Sequence, residues 1–129
     1  MANEISSADS LSVTKNGATI VISTTTQRTL TGVGIHMQEL TISNAVAEQL
    51  TWPADLTTEG ITEIQIKNLD PTNFVRIAGT VDGTPALTGL TLKILPLQSI
   101  KFAPTSDNPT LHVQASTAPC DIMVAAVGT

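Results

Sequence analysis

Short runs of alternating apolar and polar residues recur along most of the chain. Leu11-Ser12-Val13-Thr14 alternates, Asn16-Gly17 follows, and Ala18-Thr19-Ile20-Val21-Ile22 resumes the pattern. Asn-Gly tolerates positive φ at both central positions of a tight turn, so this segment predicts a β-hairpin. Ser23 to Thr31 is polar and Thr-rich, which suits a loop or an exposed edge. Val33, Ile35 and Met37 then share one phase, while Leu40 and Ile42 fall in the other. A one-residue slip turns every side chain to the opposite face, so a bulge near Gln38-Glu39 is expected to keep both sets on the core side. Asn44 to Gln49 contains the one stretch that suggests a helical turn, and reads as a connection into Leu50-Thr51-Trp52, stopped by Pro53.

The second half is more regular. Ile64 and Ile66 alternate with Glu63, Gln65 and Lys67, and Asn68-Leu69-Asp70-Pro71-Thr72-Asn73 has the composition of a turn. Phe74-Val75-Arg76-Ile77 returns, and Asp82-Gly83-Thr84-Pro85 marks a further turn. Leu90-Thr91-Leu92-Lys93-Ile94 alternates until Pro96 breaks it, and Ser99-Ile100-Lys101-Phe102 begins again. Leu111 to Ala115 and Ile122 to Val127 complete the set. The pattern amounts to about eight to ten short strands with turn signals roughly every eight to twelve residues. It predicts an all-β fold, an antiparallel β-sandwich of jelly-roll type, because alternating βα units are missing. Residues 1–10, mostly small and polar, are expected to form a flexible N-terminal arm, with residues 11–129 as one β-sandwich domain.

Composition agrees with this reading. Of the 129 residues, 41% are apolar and 13% charged, which favours a packed core over a disordered chain. Val, Ile and Leu dominate, Tyr is absent, and the aromatics are Trp52, Phe74 and Phe102. The net charge is −5, and Lys15, Arg28, Lys67, Arg76, Lys93 and Lys101 are scattered, so no basic stripe suggests nucleic acid. Met1 to Ser7 carries no basic side chain and leads into no apolar run, so no secretory signal is expected. No apolar stretch approaches the ~20 residues of a membrane helix. A single cysteine, Cys120, rules out an internal disulfide.

Candidate chemistry is sparse. His36, His112 and Cys120 are of zinc-binding type, but none has a partner at ligand spacing, and surface or core roles are expected. His112, between Leu111 and Val113, is expected on the face opposite them, the outer one, as a polar surface histidine. No G-x-S-x-G elbow supplies a serine nucleophile, and no local sequence activates Cys120. Gly32-Val33-Gly34 is a fragment of a dinucleotide fingerprint without the surrounding βαβ unit. Glu59, Glu63, Asp70 and Asp82 match no calcium-loop spacing. Trp52 is the one large aromatic, too few for the flat platforms that hold sugars, and suits a core or rim position. No catalytic residue, cofactor or metal is therefore expected.

Between residues 61 and 127 the sequence resembles small structural proteins of tailed bacteriophage virions. The resemblance is carried by Ile64-Gln65-Ile66-Lys67-Asn68-Leu69-Asp70-Pro71-Thr72-Asn73-Phe74-Val75-Arg76-Ile77, then Leu92 to Ser99, then Leu111 to Ala118. Such proteins pair a K-N-L-D-x-T-N-F-V turn with a later L-x-P-G-x-x turn and an A-S-T-A-P loop. This chain departs from them at Pro96-Leu97-Gln98, where the glycine is missing. The resemblance implies a non-enzymatic virion component of β-sandwich type, made in the bacterial host cytoplasm. A capsid decoration or cement protein that clamps neighbouring capsid subunits is the first expectation. A neck or tail component is the second, and a receptor- or glycan-binding module the third. The implied partners are the major capsid protein or other virion proteins, and further copies of the chain as dimer or trimer. Ala2, Asn3, Glu4, Ile5, Ser6 and Ser7 of the arm are the expected protein interface, ordering on a neighbouring subunit.

Overall fold

In the computed structural model, residues 4–29, 34–78, 92–104 and 108–128 are described here. The chain divides into two compact units, Met1–Thr31 and Gly32–Thr129.

The first unit is a hairpin. Strand β1 (Glu4–Lys15) pairs antiparallel with β2 (Ala18–Thr29), in unbroken register from Glu4 opposite Thr29 to Lys15 opposite Ala18. Asn16 and Gly17 turn the chain with φ of 53° and 82°, the double positive φ of a type I′ turn. That turn matches the right-handed twist of its strands and fixes their register. Beside it, the hydroxyls of Thr14 and Thr19 lie 2.9 Å apart across the strands. The ribbon runs further than expected at its open end. From Glu4 onward the segment read as an arm is strand, and so is Ser23 to Thr29, read as a loop or edge. Thr24, Thr25 and Thr26 offer no apolar alternation, yet β-branched threonine suits an extended backbone. The unit boundary also falls after Thr31 rather than after residue 10.

The second unit holds two four-stranded antiparallel sheets. Its strands are β3 (Ile35–Ile42), β4 (Glu48–Gln49), β5 (Ile61–Asn68), β6 (Val75–Ala78), β7 (Leu92–Ile94), β8 (Ser99–Phe102), β9 (His112–Ala115) and β10 (Cys120–Gly128). One sheet is ordered β3-β10-β5-β8 and the other β4-β9-β6-β7. Ile42, Ile64, Ile66, Ile122 and Val124 from the first share one buried cluster with Val75, Ile77, Ile94, Val113 and Ala115 from the second. Both inward faces thus close a single core, and the unit is an all-β sandwich. Strand β10 is its axis, pairing with β3 on one side and β5 on the other. Its period of two is plain: Cys120, Ile122, Val124 and Ala126 are buried, while the residues between them are more exposed.

Two local expectations are corrected. The register of β3 on β10 runs without a shift from Ile42–Cys120 to Ile35–Val127, so there is no bulge at Gln38-Glu39. Leu40 and Ile42 keep the core side together with His36 and Gln38, and Ile35 and Met37 stand on the outer face, 64% and 68% exposed. Val33 lies outside the described residues. The second correction is a helix, α1 (Ala54–Glu59), where none was expected. Pro53 had been read as a strand stop, and its φ of −64° also suits the entry to a helix. Gly60, at φ 88°, ends the helix by donating its N–H to the Leu56 carbonyl at 3.0 Å. Leu56 is fully buried, so this short turn contributes to the core. The stretch Asn44 to Gln49 is a connection closed by the two-residue strand β4.

Candidate functional site: an exposed apolar ribbon

The alternation that builds the hairpin also sorts its side chains. Leu11 opposes Ile22 and Val13 opposes Ile20, so all four share one face of the ribbon. They are 59%, 63%, 51% and 67% exposed respectively. The reverse face carries Ser10, Ser12, Thr14, Thr19 and Ser23, with Val21 as its apolar member. An apolar strip left in water on one side of a two-stranded ribbon is a surface suited to contact with another protein.

The expected interface residues lie at the open end of this ribbon. Ala2 and Asn3 are outside the described residues. Glu4, Ile5, Ser6 and Ser7 begin β1, opposite Thr29, Arg28, Gln27 and Thr26, and Ser6 is exposed. Sequence reading missed the strip itself. Its signal was present in the alternation of Leu11, Val13, Ile20 and Ile22, but these residues were assigned to the sandwich domain.

A second apolar strip lies on the sandwich unit. Ile35 and Met37 share the outer face of their sheet with Met123, Ala125 and Val127, which are partly exposed. Across β10, the same face continues into the polar Glu63, Gln65 and Lys67.

The titratable candidates are dispersed. His36 is on β3, where its Nε2 lies 3.3 Å from Gln38 Oε1. His112 lies on β9 on the face opposite the buried Val113, but it is half-buried rather than on an open outer surface, and its Nδ1 is buried with no hydrogen-bond partner among the described residues. Cys120 is buried at the start of β10, and its thiol is pushed above the usual range, chiefly by burial and then by Asp70 and Asp121. Among the described residues no group of three or more His, Cys, Asp or Glu side chains is placed to hold a metal ion. No helix among them is long and apolar enough to cross a membrane. Asp82 lies outside the described residues.

Asp70 and Asn68 organise the turn between β5 and β6. Asn68 is fully buried. Its amide donates to the carbonyls of Asn73 at 2.7 Å, Leu95 at 3.3 Å and Ile94 at 3.4 Å, and its Oδ1 accepts from the Asp70 N–H at 3.0 Å. One side chain thereby ties the end of β5 to the start of β6 and to the β7–β8 turn. Asp70 Oδ1 accepts from the N–H groups of Asn73 at 2.6 Å and Thr72 at 2.7 Å. Those two bonds favour the charged form and hold its carboxyl below the usual carboxylate range. In the β7–β8 turn, Leu97 has φ of 60° between Pro96 and Gln98, and the Gln98 N–H donates to the Leu95 carbonyl at 3.1 Å. Leu97 therefore occupies the left-handed position of a β-turn, one that favours glycine.

A polar cleft of about 410 Å³ lies beside Trp52, with Gln49, Thr51, Thr57, Asn108 and Thr110 in its wall. Trp52 is half-buried against the core, and its indole N–H donates to the Pro109 carbonyl at 2.8 Å.

No protein-family model matches this chain, and comparison with curated proteins and with solved structures finds none that is similar.

Proposed function

We propose that this chain is a non-enzymatic structural protein of a phage virion, a capsid decoration or cement protein that binds and stabilises neighbouring capsid subunits. The observation that carries the reading is the hairpin. Its four-residue apolar strip, more than half exposed throughout, suits a protein whose work is contact with other proteins. Of the expected interface, Glu4 to Ser7 continue that ribbon toward its open end.

The jelly-roll reading of the sandwich belongs to this proposal. What supports it is the strand order. Within the second unit the first and last strands lie side by side, and the sheets are ordered first-eighth-third-sixth and second-seventh-fourth-fifth. Paired Greek keys of this kind are found in viral capsid domains, among other proteins. That is an analogy of fold and carries no function by itself.

The test is the composition of the particle. Virions are purified by density gradient from a lysate of the organism that encodes the chain, and their proteins are counted by quantitative mass spectrometry. Decoration requires the chain to band with filled heads in a number proportional to the capsid subunits. A few copies per particle would move it to the neck or tail. Absence from the particles contradicts the virion reading.

The cleft beside Trp52 favours a second reading, a receptor- or glycan-binding module. Its wall of amide and hydroxyl side chains next to an indole is chemistry that suits a sugar. Quenching or shift of Trp52 emission on titration with oligosaccharides would support it, and a flat response would remove it.

A further inference from the structure

We propose that Asn16 is a site of spontaneous covalent modification, converted to aspartate and isoaspartate by attack of the Gly17 backbone nitrogen on its side chain. The inference stands on the β1–β2 turn itself and holds whatever the ribbon contacts. In the first step the Gly17 nitrogen gives up its proton and bonds to Cγ of Asn16. The Cγ–Nδ2 bond breaks, ammonia leaves, and a five-membered cyclic imide remains. Water then opens the imide at one of its two carbonyls. Breaking the new Cγ–N bond leaves aspartate in an ordinary backbone. Breaking the original peptide bond leaves isoaspartate, whose backbone runs through Cβ and Cγ.

Three observations point to this asparagine. The first is its neighbour. Of the asparagines in the chain, Asn16 alone precedes glycine, which sets no side chain beside the attacking nitrogen. Asn108 precedes Pro109, which has no N–H to give up. The second is that both reacting groups are unengaged. Asn16 and Gly17 are exposed. Among the described residues the Asn16 carboxamide makes no hydrogen bond, and no backbone bond engages the Gly17 N–H. By contrast, the carboxamide nitrogens of Asn44, Asn68 and Asn73 donate to Thr117 O, Asn73 O and Asp70 Oδ1 at 3.0, 2.7 and 3.4 Å. The third is the turn. With φ of 53° and 82° it is a type I′ turn, which Asp-Gly forms as readily as Asn-Gly, so the aspartate product keeps the hairpin. Isoaspartate adds a backbone methylene, and the two-residue loop no longer sets Lys15 opposite Ala18. The Ser- and Thr-rich strand ends specify register weakly, so the opposed pairs Leu11–Ile22 and Val13–Ile20 are lost with the turn.

The full chain is incubated warm for weeks at mildly alkaline pH, with a parallel sample at mildly acidic pH, and both are digested in acid for peptide mass spectrometry. Isoaspartate is counted by methyl transfer from S-adenosylmethionine with an isoaspartate-specific methyltransferase. Asn16 is expected to convert roughly tenfold or more faster than any other asparagine. Its conversion should be faster in the alkaline arm, because the attacking nitrogen must lose its proton. Gly17→Ala is expected to slow it roughly tenfold by placing a Cβ beside that nitrogen. Alanine at φ 82° strains the turn and loosens it, so a tighter fold would not explain the slowing. Cross-strand NMR contacts between Leu11 and Ile22 and between Val13 and Ile20 are expected in Asn16→Asp and not in the purified isoaspartate form. No conversion at Asn16 in the alkaline arm overturns the proposal, and so does conversion no faster than at the other asparagines or unslowed in Gly17→Ala. Contacts that persist in the isoaspartate form, or that are missing from Asn16→Asp, overturn its structural consequence.

Discussion

Replacing Asn68 by alanine is expected to be among the most damaging single changes in the second unit. Asn68 is fully buried, and its amide has two protons for three carbonyl acceptors, so the contacts at 3.3 and 3.4 Å share one donor. Truncation removes about two donated bonds and the one accepted from Asp70, each with a net worth of about 1 kcal/mol. Carbonyls of Asn73, Ile94 and Leu95 then lose a partner in a site the side chain had sealed, which adds about 1 kcal/mol for those that water does not reach. The sum is about 3–4 kcal/mol. A unit of this size is stabilised by roughly 5–15 kcal/mol, so the loss is a large fraction of the total. Trp52 is the one tryptophan of the chain and lies against the core of the same unit, so its emission reports that unit's urea unfolding. The midpoint of Asn68→Ala should fall by roughly 2 M urea with the slope unchanged. Asn68→Asp is the companion: it keeps the acceptor but turns a carboxylate toward three carbonyls, so its deficit should narrow on acidification as the carboxyl gains a proton. A loss below about 1 kcal/mol in Asn68→Ala would refute the claim that this side chain holds the three segments together.

Other consequences follow from the same turns and core. Leu97→Gly should stabilise the unit by about 0.5–1 kcal/mol, because a side chain at left-handed φ costs more than the extra freedom glycine has when unfolded. Leu97 is 60% exposed and gives up little burial; a destabilised variant in thermal melts would show that the turn carries no strain. The carboxyl of Asp70 is held below its ordinary range, so it contributes stability above its unfolded pKa, and that contribution disappears as pH falls through the lower folded value. Asp70→Asn should therefore show a shallower loss of stability on acidification than wild type, measured by urea midpoints between neutral pH and about pH 3. Cys120 is buried with its thiol raised, so Ellman's reagent should modify it only on the timescale of unfolding. Rapid labelling in the native protein would contradict the burial of that strand start.

Where side-chain alternation and turn chemistry agree, the elements were legible in advance. Ile64 and Ile66, the Asn68–Asn73 turn, Ser99 to Phe102 and Ile122 to Val127 all lie where their residues place them. The Asn16-Gly17 turn is equally clear, since its residues specify positive φ. The hairpin ends were hidden because serine and threonine carry no hydrophobic phase, and their pairing is set by the turn. Helix α1 was hidden because six residues after a proline show no helical period, and Pro53 is compatible with either ending a strand or opening a helix. The phase of β3 was misread because apolar residues were assumed to seek the core. Ile35 and Met37 show that an edge strand can place them outward beside Ala125 and Val127. For the same reason the hairpin strip was not singled out. Alternation says which residues share a face, and not what covers it.

A cryo-electron microscopy map of the virion from the encoding organism is the decisive measurement. If the chain decorates the head, density for this sandwich lies on its outside, seated across the joints between capsid subunits. Residues 4–29 are then in protein–protein contact, with Leu11, Val13, Ile20 and Ile22 removed from solvent. A map in which head, neck and tail are fully built from other chains would contradict the virion reading.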